Sequence, residues 1–432
     1  MTATVGTARA GEQDCPACGE RVPVEERFVT WCDACGWNVD PAAAHAEPRR
    51  SRTEALRRRA ARHHGEQLLA ELSRGGAEPR ADGGPAMLAR LLAAAVHGLT
   101  VALTACALYL IVAGWSTVTQ PLLGGILLAL AVVLRPRFGK LDKDLPVLHR
   151  ADAPALFALL DEVAAAAGTS GVHAVVVGPE ANAGVTAYGV RQRRVLHLGL
   201  GLWEILSPQG RVALLGHEFG HYAHGDTRHL LLVGSALRSL HTWRYMLAPN
   251  SADTLAEVAA NVLTAPPRWT VEGVTILLDH LTLRASQRSE YLADTTAART
   301  GGAPAAVELL DRLLVADGVE GELHRESVAA RTRIGGTRRD DAADGLWGRL
   351  AEWAENVPAR EYERLRRVGE LRGHRVDSTH PPTHLRRRLL AEGEAFPARV
   401  TVNAATTTAI DGELAGMRRQ VARDVVTGAH HG

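Results

Sequence analysis

The chain has few aromatic residues and few cysteines, and it carries no large net charge of either sign. With 49 Lys+Arg against 48 Asp+Glu the formal charge is +1, which argues against a protein whose whole surface serves a nucleic-acid partner. Five cysteines in 432 residues exclude a disulfide framework of the small secreted kind. Met1 to Asp14 contains no apolar run suited to a signal peptide, so the N-terminus is expected in a reducing cytoplasm. The length allows two or three domains, because one core rarely organises much more than about 250 residues.

Four of the cysteines stand in two close pairs, Cys15-Pro16-Ala17-Cys18 and Cys32-Asp33-Ala34-Cys35, each followed by glycine. Four thiolates at this spacing make a closed tetrahedral Zn²⁺ site, and the intervening residues suit a short hairpin, so residues 1–45 resemble a zinc ribbon. Such a site stabilises a fold too small for its own core and does no hydrolysis. Glu20, Glu25, Glu26 and Asp33 make the ribbon acidic or mixed, so no nucleic-acid partner is expected.

Residues 46–85 read as a basic helical linker, with Arg49, Arg50, Arg52, Arg57, Arg58, Arg59 and Arg62 close together. Leu91 to Ala113 then carries no charge, and its length corresponds to about 34 Å of helix against a hydrocarbon core of roughly 30 Å. After Gly114, Trp115 and Ser116 a second uncharged run, Thr117 to Leu134, covers about 27 Å. An aromatic content of 4 % leaves little bulky surface with which to bury two such runs in a soluble core. Residues 86–135 are therefore expected to form a two-helix transmembrane hairpin. Arg74, Arg80 and Arg90 precede it and Arg135, Arg137, Lys140 and Lys143 follow it, which puts both ends on the cytoplasmic side of a multi-pass cell-membrane protein. His97, inside the first run, is expected near the interface as a neutral imidazole.

Beyond Leu145 the pattern is α/β and then mainly helical, over a body placed at 136–400 with 401–432 as a tail. Val172 to Val177, Val185 to Val190 and Val195 to Leu200 read as strands, and Asp317 to Gly345 as a surface loop or lid. His217-Glu218-Phe219-Gly220-His221 lies in good helix sequence. Two histidines four apart share one helix face, where both imidazoles reach one metal, while Glu218 sits beside it without binding. Zinc held this way acidifies water, and a neighbouring carboxylate can take the proton during attack on a peptide carbonyl. A third ligand is needed. Thr227 stands where a further histidine of the same stretch would fall, so Glu290, within Ser286 to Asp294, is the better candidate. Asp294, one turn later, could accept the other ring N–H of a ligating histidine. An exposed acidic helix face is the competing reading of Glu290 and Asp294.

These residues carry a resemblance. The helix 217–221, then Glu290 to Asp294, then Ser378-Thr379-His380-Pro381-Pro382 resembles the M48 family of membrane-linked zinc metallopeptidases, which includes HtpX-like enzymes and CAAX prenyl proteases. The segment from Asn182-Ala183 to the strand around Val195 to Leu200 is similar to the one preceding the zinc helix there. The resemblance implies an α+β, predominantly helical gluzincin-type body with a small edge sheet that pairs with substrate backbone. It implies His217, His221 and Glu290 as zinc ligands, Glu218 as base, His380 as an auxiliary catalytic stabiliser of the oxyanion, and Arg386 as structural. Arg386-Arg387-Arg388 otherwise reads as a solvated helix face. Gln287 stands where the family often has Arg, with Arg288 one place later. The interval between the zinc helix and Glu290 contains Arg238, Arg244 and Arg268 and no long uncharged run, so it is expected outside the bilayer core, and a seven-span chamber is excluded. The combined expectation is a membrane-anchored zinc endopeptidase acting on protein or peptide substrates, with one catalytic and one structural Zn²⁺ and the lipid bilayer as partner. Quality control of membrane proteins is one open role. The alternative is a catalytically inactive, membrane-tethered zinc-ribbon interaction protein.

Overall fold

The computed structural model describes residues 11–43, 63, 65–73, 84–135, 145–189, 191–223, 227–249, 251, 254–332, 343–372 and 381–428. Most of the basic linker and His380 lie outside the described residues. Two layers organise the body. A four-stranded sheet, β3 (Val147–Leu148), β4 (Ala174–Gly178), β5 (Ala183–Tyr188) and β6 (Arg193–Gly199), has the order β3-β4-β6-β5. The β4 and β6 strands run parallel, and β5 is antiparallel to β6 at the edge. The strand around Val195 to Leu200, which ends the segment likened to the one preceding the zinc helix, is therefore an inner strand with neighbours on both sides. The outer strands are β5 and the two-residue β3. Gly199 permits this close folding, since a Cβ there would lie 2.2 Å from the Asn182 carbonyl oxygen.

The helices form the second layer. They are α1 (Gly84–Ala113), α2 (Thr119–Leu134), α3 (Pro154–Ala166), α4 (Leu200–Trp203), α5 (Pro208–Ala223), α6 (Thr227–Met246) and α7 (Leu255–Gly301). After them come α8 (Ala303–Leu314), α9 (Ala316–Thr332), α10 (Leu346–Glu355), α11 (Ala359–Arg372), α12 (Thr383–Glu392) and α13 (Ala404–Thr427). The main core joins α3, β4, β6 and α5 with α9, α10 and α13 through Leu156, Phe157, Leu160, Leu196, Trp203 and Leu414. Two expectations change here. Much of the stretch anticipated as a loop or lid, 317–345, is the helix α9, held to the core by Val319 and Leu323. The anticipated tail, 401–432, contains α13, whose Ile410, Leu414 and Val421 are core residues. Glu413 accepts hydrogen bonds from the backbone of Ala155 and Leu156 at 2.7 and 2.9 Å, so α13 places a carboxylate on the orphan donors at the start of α3.

Helices α1 and α2 pack against each other. By length and composition α1 can cross a membrane, and α2 is a shorter apolar helix. Leu91, Val101, Leu108, Tyr109, Leu122 and Ile126 are exposed, an apolar face of the kind that marks an interaction or membrane surface. The other side of α1 packs through Ala89, Ala93 and Val96 on Val233, Ala236, Leu240 and Trp243 of α6 and Val271 and Leu278 of α7. His97 meets Ser235 on α6 at 2.9 Å.

At the N-terminus, β1 (Gly11–Asp14) pairs with β2 (Arg21–Val24) around the first Cys pair. The hairpin thus flanks that pair instead of filling the interval between the pairs. The ribbon is docked on α11. Arg364 and Arg367 donate to the carbonyls of Val39 and Asp33 at 2.9 and 2.6 Å, and Arg360 donates to the Trp31 carbonyl. Arg360 and Arg367 lie over the Trp31 ring, each 5.0 Å from its centroid.

Candidate active site

Ser207 opens α5 by accepting the Gly210 N–H at 3.0 Å, with Pro208 at the first helical position. The long helix α7 begins on a reciprocal cap between Thr254 and Glu257. The two helices cross where glycine removes the side chains between them. A Cβ on Gly220 would stand 2.8 Å from Ala293 Cα, and one on Gly216 would stand 1.9 Å from Thr300 Oγ1. This approach sets Glu290 opposite the two histidines. Gly220→Ala meets backbone that cannot yield, so it is expected to cost about 1–3 kcal/mol by overpacking. It should also move Glu290 off the histidines, to be read as a lower melting temperature together with a lower zinc content.

His217, His221 and Glu290 present one donor atom each, all within 4.8 Å of one another. The two Nε2 atoms are 3.2 Å apart, and they lie 3.7 and 3.6 Å from the Glu290 carboxylate oxygens. His217 Nδ1 stands 3.0 Å from Asp294 Oδ1, which fixes the tautomer that leaves Nε2 free to ligate. Two neutral imidazoles and a carboxylate converging on one point are the donor chemistry of a zinc site with an open fourth position, so the residues fit the ion. Cys15, Cys18, Cys32 and Cys35 likewise converge, with Sγ atoms 3.7 Å apart between Cys15 and Cys35 and 3.6 Å between Cys18 and Cys32.

The site also holds a residue whose sequence reading was partly wrong. Arg386 is not on a solvated face. It is 5 % exposed and donates to Asp294 through Nε and Nη2, both at 2.7 Å, while Nη1 lies 3.3 Å from Glu290. Arg387 pairs with Asp311, and Arg388 alone of the three is largely exposed. Burial by itself would raise the Asp294 carboxyl, but Arg386 and His217 outweigh it and hold it below its ordinary value. Burial would lower His217, yet Asp294 raises it above the usual imidazole range. Neither Glu290 nor Asp294 lies on an exposed face, since they are 4 % and 1 % exposed.

Glu218 faces the sheet. Its Oε2 accepts the N–H of Val185 on β5 at 3.3 Å, and the Val185 carbonyl accepts from Tyr222 Oη at 2.9 Å. Burial raises the Tyr222 phenol, Arg194 lowers it and Glu218 raises it again, and the net shift is upward, so the group stays a donor. Gln287 is fully buried, and Arg288 approaches Glu71 at 3.8 Å. The helical residues 65–73 pack against α7 and α12 through Leu68 and Leu72, and Tyr291 donates to the Gly65 carbonyl at 3.3 Å. Several of these residues escaped the sequence reading. A visible signal existed for three of them, because Gly216 and Gly220 repeat at helical spacing and Tyr222 stands four residues after Glu218.

A two-histidine, one-glutamate cluster on crossed helices beside an edge strand is a candidate metal centre. The chain belongs to peptidase family M48, whose sequence pattern matches residues 150–393. It is 31 % identical over 144 residues to Protease HtpX of Pseudomonas putida strain W619, a match covering 32 % of this chain and 48 % of the relative. Protease HtpX of strain GB-1 is 30 % identical over the same length. The chain thus spans about half the length of the curated relatives it matches. No solved structure matches it.

Proposed function

We propose that the chain is a membrane-anchored zinc endopeptidase with its catalytic centre at His217, Glu218, His221 and Glu290 and with a second, structural zinc in the Cys15/Cys18/Cys32/Cys35 ribbon. The observation that carries this reading is the convergence of His217, His221 and Glu290, with Glu218, next to His217 in the helix, accepting from Val185 of the outer strand β5. Zinc, when bound, supplies a Lewis acid that polarises the scissile carbonyl and makes water acidic enough to lose a proton near neutral pH. The chain's own residues do the rest. An extended substrate pairs with the outward backbone of β5, which orients the scissile peptide over the zinc helix. Glu218 accepts the proton of the attacking water and returns it to the leaving nitrogen. Asp294 keeps His217 in its ligating tautomer, and Arg386 keeps Asp294 ionised. His380 is proposed as an auxiliary stabiliser of the developing oxyanion.

The domain organisation proposed is ribbon (1–45), basic linker (46–85), membrane hairpin (86–135) and peptidase body from 136 onward, with α13 included. The hairpin places the body against the bilayer through α6 and α7. The Arg and Lys flanks support a cytoplasmic orientation, and misfolded membrane proteins are one class of substrate that such a location would supply. The intact set of His217, Glu218, His221 and Glu290 disfavours an inactive tethering role.

Metal analysis of the purified chain tests this reading. Two zinc ions per chain are expected, falling to one in Cys32→Ser and to one in His221→Ala. A chelator should abolish cleavage of an unfolded protein, and added zinc should restore it. A single ion in the wild type would remove one of the two sites, and cleavage indifferent to chelation would sink the mechanism.

A further inference from the structure

Gly184 and Thr186 lie on either side of Val185, and the backbone bond from Gly199 N–H to the Asn182 carbonyl shows which residues of β5 turn their peptide groups toward β6. Alternation along the strand makes Asn182, Gly184 and Thr186 the inward set, so Val185 presents its N–H and C=O outward. Both are taken by the zinc helix. The N–H goes to Glu218 and the C=O to Tyr222, two residues four apart and hence on one face of α5. One peptide unit of the edge strand is thus clamped between the catalytic carboxylate and a phenol. The phenol is itself braced, since the Arg194 guanidinium lies 4.5 Å from its ring centroid and donates to Thr169 Oγ1 and the Ser170 carbonyl at 2.9 and 2.7 Å.

We infer that Tyr222 is a positioning residue for Glu218, holding the Val185 peptide so that its N–H keeps the Glu218 carboxylate aimed at the reacting centre. The inference rests on the peptidase reading and deepens it. Val185 spends both outward groups on α5, and the Ala183 N–H is held by Asn182 Oδ1 at 2.8 Å, so pairing with substrate falls to Ala187 and to the Ala183 carbonyl. Loss of the phenol hydroxyl therefore acts on the proton-transfer step more than on substrate binding. Misplacing a general base by a fraction of an ångström is enough to cost about tenfold in rate.

The test is Tyr222→Phe in the full-length, zinc-loaded chain, with Glu218→Gln alongside and an unfolded protein as substrate. The phenyl ring keeps its stack on Arg194, so folding should be preserved. The expected result is kcat lower by about tenfold with KM within about twofold, unchanged zinc content and melting temperature, and faster hydrogen exchange in a peptide covering 183–188. An unchanged kcat overturns the inference. A raised KM at unchanged kcat overturns it too, because Tyr222 then belongs to the substrate cleft. Zinc loss in parallel with activity would assign Tyr222 to the ligand helix instead. Should Glu218→Gln cleave as fast as wild type, the peptidase reading itself fails and the positioning role with it.

Discussion

Glu218→Gln should keep its zinc and cleave an unfolded protein about 10³-fold more slowly than the wild type, equivalent to about 4 kcal/mol of transition-state stabilisation. The side chain is nearly isosteric and its carbonyl oxygen can still accept from Val185 N–H, so the strand contact and the three ligands are left in place. What the amide lacks is basicity. It cannot take a proton from water at neutral pH, and so has none to give to the leaving amine. Zinc analysis and cleavage kinetics on the same preparation separate the two properties. Equal rates for both chains would exclude Glu218 as the base, and zinc loss in the variant would make it a ligand-site residue.

Arg386→Leu is expected to cause the largest loss of stability, about 3–5 kcal/mol, because it strands buried carboxylates without their cation. Asp294 and Glu290 are almost fully buried, and the guanidinium touches both. The Arg386→Leu/Asp294→Leu pair should recover part of that stability, since two apolar side chains can replace a buried ion pair at little cost. It should not recover metal affinity. Without Asp294 the His217 Nδ1 loses its carboxylate partner, and loss of such a partner costs roughly 10–100-fold in affinity. Chemical denaturation of the three chains, combined with zinc titration, reads both effects. Full recovery of affinity in the double variant would show that Asp294 does not orient His217.

Motif spacing carried much of the site. Residues four apart on a helix share a face whatever surrounds them, so His217 and His221 could be paired on one ion before any fold was known. The two Cys pairs were legible for a similar local reason. Glu290 was harder. Nothing local joins it to a helix some seventy residues earlier, and only its order among the other motifs singled it out. The strand that flanks the site could not be told apart from its neighbour, because β5 and β6 are both short strands of mixed composition and their order in a sheet depends on pairing partners distant in sequence. Arg386 misled for a related reason: three consecutive arginines look solvated, but a helix turns them to three directions, and one points at Asp294.

The sequence by itself determined the candidate chemistry: two histidines with a carboxylate beside them, the four thiols and the uncharged runs, all properties of short stretches whose periodicity is set by the backbone. Only the tertiary structure decided that β5 is an outer strand, that Arg386 is buried against two carboxylates, that α13 belongs to the core and that Tyr222 and Glu218 clamp one peptide of the strand. Each of these depends on which surfaces exclude water together, and that is settled by close packing between segments far apart in the chain, as where Gly216 and Gly220 let α5 settle onto α7.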